Sequence, residues 1–143
     1  MKLKQLPLAD INRWSRNTLM EHLGIECIEL SDDYLVARMP VDQRTHQPAG
    51  LLHGGASMAL IESLGSMGSS LLLDMLLDLE KEQPVGIEIN ANHISGVRSG
   101  SVLGTARIVH AGRKTHVWQV DIRDEAGGKL VCTGRLTVMV IAR

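Results

Sequence analysis

The chain is 143 residues long, about one domain's worth, and a chain of this size can bury a core without disulfides or metals. With 44% hydrophobic and 22% charged residues it is globular, which excludes a disordered or low-complexity chain. Its 15 basic and 16 acidic side chains leave a net charge of −1, so bulk charge would recruit neither nucleic acid nor an anionic membrane.

There is no Phe, and only Trp14, Trp118 and Tyr34 are aromatic. The predicted core is therefore aliphatic with Met as filler, and a base-stacking platform for single-stranded nucleic acid is excluded. Cys27 and Cys132 are far apart in sequence, which points to reduced thiols in a cytoplasmic protein. Lys2 and Lys4 precede no apolar run, so the N-terminus does not read as a signal peptide. The most apolar region, residues 60–79, carries Glu62, Asp74 and Asp78. Its longest uncharged run, 63–73, is about half the ~20 residues a bilayer requires, so no membrane partner is expected.

In chain order, residues 8–22 predict a helix that Gly24 stops. Residues 25–30 and 34–39 predict a hairpin around the turn Ser31-Asp32-Asp33. A polar, irregular stretch follows to residue 52. Leu60, Leu64, Met67, Leu71 and Met75 then fall on one face of a long helix, while Ala59, Glu62, Ser66 and Ser69 form a small, polar stripe on another. Gly65 and Gly68 inside that helix predict close approach by a backbone or a ligand. Beyond Pro84 the period becomes two, with strands over 85–93, 102–110, 114–123 and 130–142 and turns over 96–100, 111–112 and 124–128. Read as four meandering strands after a hairpin and one helix, this is a single α+β domain over residues 1–143. Its antiparallel sheet of about six strands curls around the helix.

Residues 47–62 are the chemically informative segment. Gly54 and Gly55 open the long helix, where backbone N–H groups lack intrahelical partners and the dipole is positive. Such a pole holds an oxyanion, and Glu62 two turns later supplies a general base or nucleophile. The same residues also fit a plain turn followed by an exposed helix glutamate. The six histidines show neither H-x-H nor H-E-x-x-H spacing, so no metal site is expected. Gly112-Arg113-Lys114-Thr115 lacks the spacing of a Walker loop, leaving a basic turn or a small phosphate-binding tip.

The element order, together with Q-P-x-G-x-x-H-G-G and A-x-x-E-S over residues 47–63, resembles the hotdog-fold acyl-CoA thioesterases of the PaaI-like type. The resembling branch includes the dihydroxynaphthoyl-CoA hydrolases and the enterobactin proofreading thioesterase. V-G-I-E-I-N-A-N-H over 85–93, Gly112-Arg113 and V-W-Q-V over 117–120 match too, so the likeness runs from about residue 24 to the last strand. The resemblance implies that Glu62 is the catalytic carboxylate and that the Gly54 N–H stabilises the oxyanion. It gives Gln47 the orientation of the carbonyl, His53 assistance near it, and Ser66 the holding of water or Glu62. Gly86, then His93, Ile94, Ser95 and Gly96, then His110, Ala111, Gly112, Arg113, Lys114 and Thr115 match positions that contact CoA. It further implies no cofactor and a homodimer or dimer-of-dimers tetramer with the active site at a subunit boundary, Gln47 and Glu62 of one site coming from different chains. The chain departs from the pattern at Ala49, where a bulkier residue is usual, and in residues 71–83, which are longer and more helical than usual. Other readings of the same fold are an acyl-CoA dehydratase or hydratase, in which Glu62 and His53 act across a C–C bond, and a non-catalytic acyl-CoA-binding module.

Overall fold

In the computed structural model the described residues are 1–72 and 78–143. Two short helices, α1 (Leu8–Arg13) and α2 (Leu19–Leu23), precede β1 (Glu26–Leu30) and β2 (Tyr34–Pro40). The long helix α3 (Gly54–Ser70) leads to β3 (Glu82–His93), β4 (Ser101–Ala111), β5 (Thr115–Asp124) and β6 (Leu130–Ala142). All six strands form one antiparallel sheet in the order β1-β2-β4-β5-β6-β3. Helix α3 touches β2, β3, β4, β5 and β6, so the sheet wraps it as the α+β reading expected.

Two expectations need correction. The single helix over 8–22 is split, because Asn17 takes φ 59°, a left-handed conformation that no helix continues through. The Asn12 side chain exchanges two hydrogen bonds with the Cys27 backbone, of 2.9 and 2.8 Å, which ties α1 to β1 instead. Nor do the last four strands meander. Strand β3 pairs with β6 at the far edge, and only β4, β5 and β6 follow in sequence. Residues 94–100 are accordingly a crossing rather than a hairpin turn. They run from Val131, whose carbonyl accepts from Ile94, past Leu52 to Val41, which donates to Gly100. Period two identifies a strand but not its neighbour. The edge position also explains how Pro84 sits inside β3, since an edge strand tolerates a missing donor.

The core follows the helical stripe: Leu60, Leu64, Met67 and Leu71 are buried. The fifth member, Met75, lies outside the described residues, as does the middle of the 71–83 segment. Ser69, placed with the open polar stripe from spacing, is instead fully buried. Its Oγ accepts from Trp118 Nε1 at 2.8 Å and lies 2.9 Å from His116 Nδ1, so β5 holds it beneath the helix. Burial pulls the His116 imidazole below its ordinary pKa, and its Nε2 has no hydrogen-bond partner among the described residues. Both cysteines are buried and unpaired.

The helix glycines admit side chains, not the backbone or ligand that spacing suggested. A Cβ at Gly65 would fall 2.5 Å from Leu136 Cδ2, and one at Gly68 2.5 Å from Trp118 Cη2. Leu136 offers the end of a flexible chain, whereas the Trp118 ring is rigid, fully buried and tethered through Nε1. Gly68→Ala is therefore expected to lower stability by about 1–3 kcal/mol of overpacking, less the ~1 kcal/mol gained in helix propensity. Gly65→Ala should cost less. Thermal unfolding of both variants checks the order, and a Gly68→Ala protein melting above the parent would contradict this packing.

Candidate active site

Among the described residues, clefts lie against α3 on three sides, and each holds some of the expected residues. The first, of about 340 Å³, opens at the helix N-terminus and is lined by Gln47, Gly54, Ser57 and residues 93–96 with their neighbours. Gln47 begins a tight turn: its carbonyl accepts from Gly50 at 2.9 Å, and Gly50 supplies the positive φ of 77° that closes it. The Gln47 Oε1 accepts from the Ala49 N–H. That bond fixes the amide orientation, because a flipped Nε2 would face a donor. The Nε2 hydrogens are left without a partner among the described residues, available to a carbonyl oxygen in the cleft.

His53 is the N-cap of α3. Its Nδ1 accepts from Gly55 N–H at 2.7 Å, and its carbonyl accepts from Ala56 at 2.9 Å and Ser57 at 3.3 Å. Three of the four helix-start donors are thereby occupied, and Gly54 N–H alone has no partner among the described residues. His93 lies directly over it, since a Cβ at position 54 would fall 2.9 Å from His93 Nε2. Glycine lets the imidazole and the amide share one space, whereas a side chain there would push the exposed His93 ring aside. His53, by contrast, lines a third cleft of about 270 Å³ with Leu19, Leu23, His46 and Ala59 and is not among the residues lining the Gln47 cleft.

The second cleft, of about 410 Å³, contains Glu62 and Ser66 together with Ser63, Ser70, Met67, Trp14 and Arg143. Desolvation pushes the Glu62 carboxyl above its usual 4.5. Gly86 of β3 forms its seat, because a Cβ at position 86 would overlap the carboxylate. Ser66 follows Glu62 by one turn and shares that cleft, as the spacing required. Eight helix residues, about 12 Å of axis, separate Gly54 from Glu62. One chain therefore brings together Gln47, Gly54 and His93, and separately Glu62, Ser66 and Gly86.

The expected CoA contacts divide in the same way. His93, Ile94, Ser95 and Gly96 line the first cleft, where the end of β3 meets the start of β6 through His93↔Cys132. His110, Ala111, Gly112, Arg113, Lys114 and Thr115 surround the β4–β5 hairpin, which Gly112 N–H closes onto the Thr115 carbonyl at 2.8 Å. Pairing of Ala111 with His116, His116 with Val138 and Val138 with Gly86 puts that tip at the opposite end of the sheet, level with Gly86 but three strands away from it. Arg113 and Lys114 are both exposed.

The thioesterase superfamily profile matches residues 49–131, more than half of the chain. The chain belongs to the thioesterase superfamily. The proofreading thioesterase EntH of Cronobacter turicensis is 46% identical over 138 residues, covering 96% of each chain. A mutant of the thioesterase PA1618 of Pseudomonas aeruginosa superposes with a TM-score of 0.91 at 45% identity over the full length of both chains. The thioesterase SAV0944 of Staphylococcus aureus gives 0.78 at 39% identity over 85% of this chain and 97% of its own. The protein is thus a thioester hydrolase with the hotdog architecture, and no described helix is long and apolar enough to cross a membrane.

Several residues of this thioesterase's clefts escaped sequence reasoning, Ser57, Trp14 and Arg143 among them. Ser57 lies one turn after Gly54 and lines the same cleft, so helical spacing carried its signal. Trp14 is 43% exposed in a chain almost without aromatics, and that scarcity could have marked it. Arg143 had no local signal. Only the pairing of β6 with β3 carries it to the second cleft, where its N–H donates to the Lys81 carbonyl at 2.8 Å.

Proposed function

We propose that this thioesterase hydrolyses an acyl-CoA to acid and free CoA at an active site shared by two chains. Gln47, Gly54 and His93 come from one chain, and Glu62 with Ser66 from the other. The observation that carries this reading is the division of the expected residues between two clefts of one chain. A further support is that SAV0944 was solved with a glutamine replaced by alanine and, separately, with a glutamate fifteen positions later replaced by alanine. Gln47 and Glu62 have that spacing.

In this reading the thioester carbonyl oxygen receives the Gly54 N–H and the Gln47 Nε2–H, both fixed before substrate arrives. The Glu62 carboxylate attacks the carbonyl carbon or removes a proton from water that does so, with Ser66 holding that water. Collapse of the tetrahedral intermediate breaks the C–S bond, and the thiolate leaves as CoA after taking a proton; where Glu62 itself has attacked, water then cleaves the acyl-glutamyl anhydride to release the acid and restore the carboxylate. The chemistry needs no cofactor. Trp14, Met20 and Met67 give the second cleft flat and polarisable walls suited to an aryl or medium-chain acyl group, 1,4-dihydroxy-2-naphthoyl among them. Two buried thiols suit a cytoplasmic enzyme.

Release of thiol from a panel of acyl-CoAs, followed with a thiol reagent, tests the reading. A dehydratase or hydratase would turn over enoyl- or hydroxyacyl-CoA without releasing thiol, and a binding module would release none. Roles within the site separate kinetically. Gln47→Ala is expected chiefly to lower kcat, because its donor acts on the developing oxyanion. Arg113→Ala should chiefly raise KM for CoA thioesters. A pure KM effect from both would refute this division.

A further inference from the structure

We propose that Arg98 and Lys129 form a cationic mouth to the Gln47–Gly54–His93 cleft and bind the nucleotide phosphates of the CoA thioester there. The proposal rests on the acyl-CoA reading above and adds a phosphate site distinct from the Arg113–Lys114 hairpin tip.

Both side chains are exposed, and neither pairs with a carboxylate within 4 Å among the described residues. Each is held instead by a neutral carbonyl at the rim of the cleft. Lys129 Nζ donates to Gly96 O at 3.0 Å, and Gly96 is itself a lining residue. Arg98 Nη1 donates to Ala49 O at 3.4 Å, in the turn that Gln47 begins. An ammonium has three N–H donors and a guanidinium five, so most remain available to an anion. Of the nearby acids, Glu125 pairs with Arg38, and Asp124 accepts from Ala126 N–H at 3.4 Å and forms no ion pair within 4 Å with either cation.

The mouth is also built, not draped. His46 Nε2 lies 2.9 Å from the Arg98 carbonyl, and Leu52 N–H donates to the Val97 carbonyl at 2.8 Å. Ser95 Oγ donates to the Leu130 carbonyl at 2.6 Å, next to Lys129 in sequence. These bonds fix the two cations relative to the helix N-terminus, whose positive pole adds to the same field. A thioester carbonyl held at Gly54 leaves its long, polyanionic leaving group to exit along a cleft whose rim carries these unpaired positive charges. Charge-assisted contacts to phosphate are the interaction such a rim favours.

Kinetics of Arg98→Gln, Lys129→Gln and the double variant test the site, using a CoA thioester and the pantetheine thioester of the same acid. Each single change is expected to raise KM for the CoA thioester roughly 5-fold and the double change more, with kcat within about twofold, as for a lost charged hydrogen bond at an exposed site. The pantetheine thioester, which lacks the nucleotide, should be unaffected. Added salt should raise KM in the parent and much less in the double variant. Lys129→Arg, which keeps charge and donors, should retain parental KM and guards against a folding effect. The proposal is overturned if the double variant keeps parental KM for the CoA thioester. It is equally overturned if KM rises as much for the pantetheine thioester, since the pair would then only shape the cleft. Failure of the parent to release thiol from any thioester would refute the acyl-CoA reading instead.

Discussion

Glu62→Gln is expected to fold normally and to lose at least about 10²-fold in kcat, the lower range for a missing general base. The substitution is nearly isosteric, so the seat provided by Gly86 still fits and no cavity or overlap arises. What disappears is the negative charge, and with it both the base and the nucleophile. The parent should show an acid limb in its pH–rate profile. Only the ionised carboxylate acts, and partial burial favours the neutral acid, so activity should fall with decreasing pH through a value above the usual 4.5. Opening the cleft to water would move that limb down. Glu62→Gln should abolish the limb together with the rate. A folded Glu62→Gln protein turning over at the parental rate would remove the carboxylate from the mechanism altogether.

The parts of this picture that sequence conveyed are those governed by periodicity along the chain. The buried stripe Leu60, Leu64, Met67 and Leu71 and the β6 boundaries at residues 130–142 followed directly from spacing. Neighbour relations across the sheet did not. The alternation in β3 marks a strand equally well beside β4 or beside β6, and the choice is made by the crossing of residues 94–100 over the end of the sheet. Ser69 was misplaced for a similar reason. Helical spacing groups it with Glu62 and Ser66, but the pull inward comes from Trp118 and His116 on a distant strand. Gly54 was singled out from its place at the helix start and Gly86 from motif likeness, and their close neighbours, the His93 ring and the Glu62 carboxylate, became visible only in three dimensions. The separation of Gln47 from Glu62 was not legible in their spacing, because both lie on one short segment of chain; only the resemblance implied it, through the subunit boundary at which such sites lie.

Mixed dimers of Gln47→Ala and Glu62→Gln chains are expected to recover activity that neither variant shows alone. If each site takes Gln47 from one chain and Glu62 from the other, a heterodimer contains one site with both residues intact and one with neither. Random pairing of equal amounts makes half of the dimers mixed, so about one quarter of all sites are whole and the mixture should approach a quarter of parental activity. The fold supplies the means of pairing. Strand β3 is an edge of 12 residues with no strand paired on its outer side among the described residues, and its Ile87 is 52% exposed. A long edge left bare invites addition of another strand. Gly86, the seat of Glu62, and His93, the ring above Gly54, both belong to β3, so a second chain added along this edge would approach both clefts at once. Closing them would exclude water from Glu62 and strengthen the contacts that Gln47 and Gly54 make to the oxyanion. Chains unfolded together and refolded should show the rescue, whereas chains mixed without exchange should not. Light scattering should report a dimer or tetramer at assay concentration. Full activity from a monomer, or no rescue from verified heterodimers, would return both residues to a single chain.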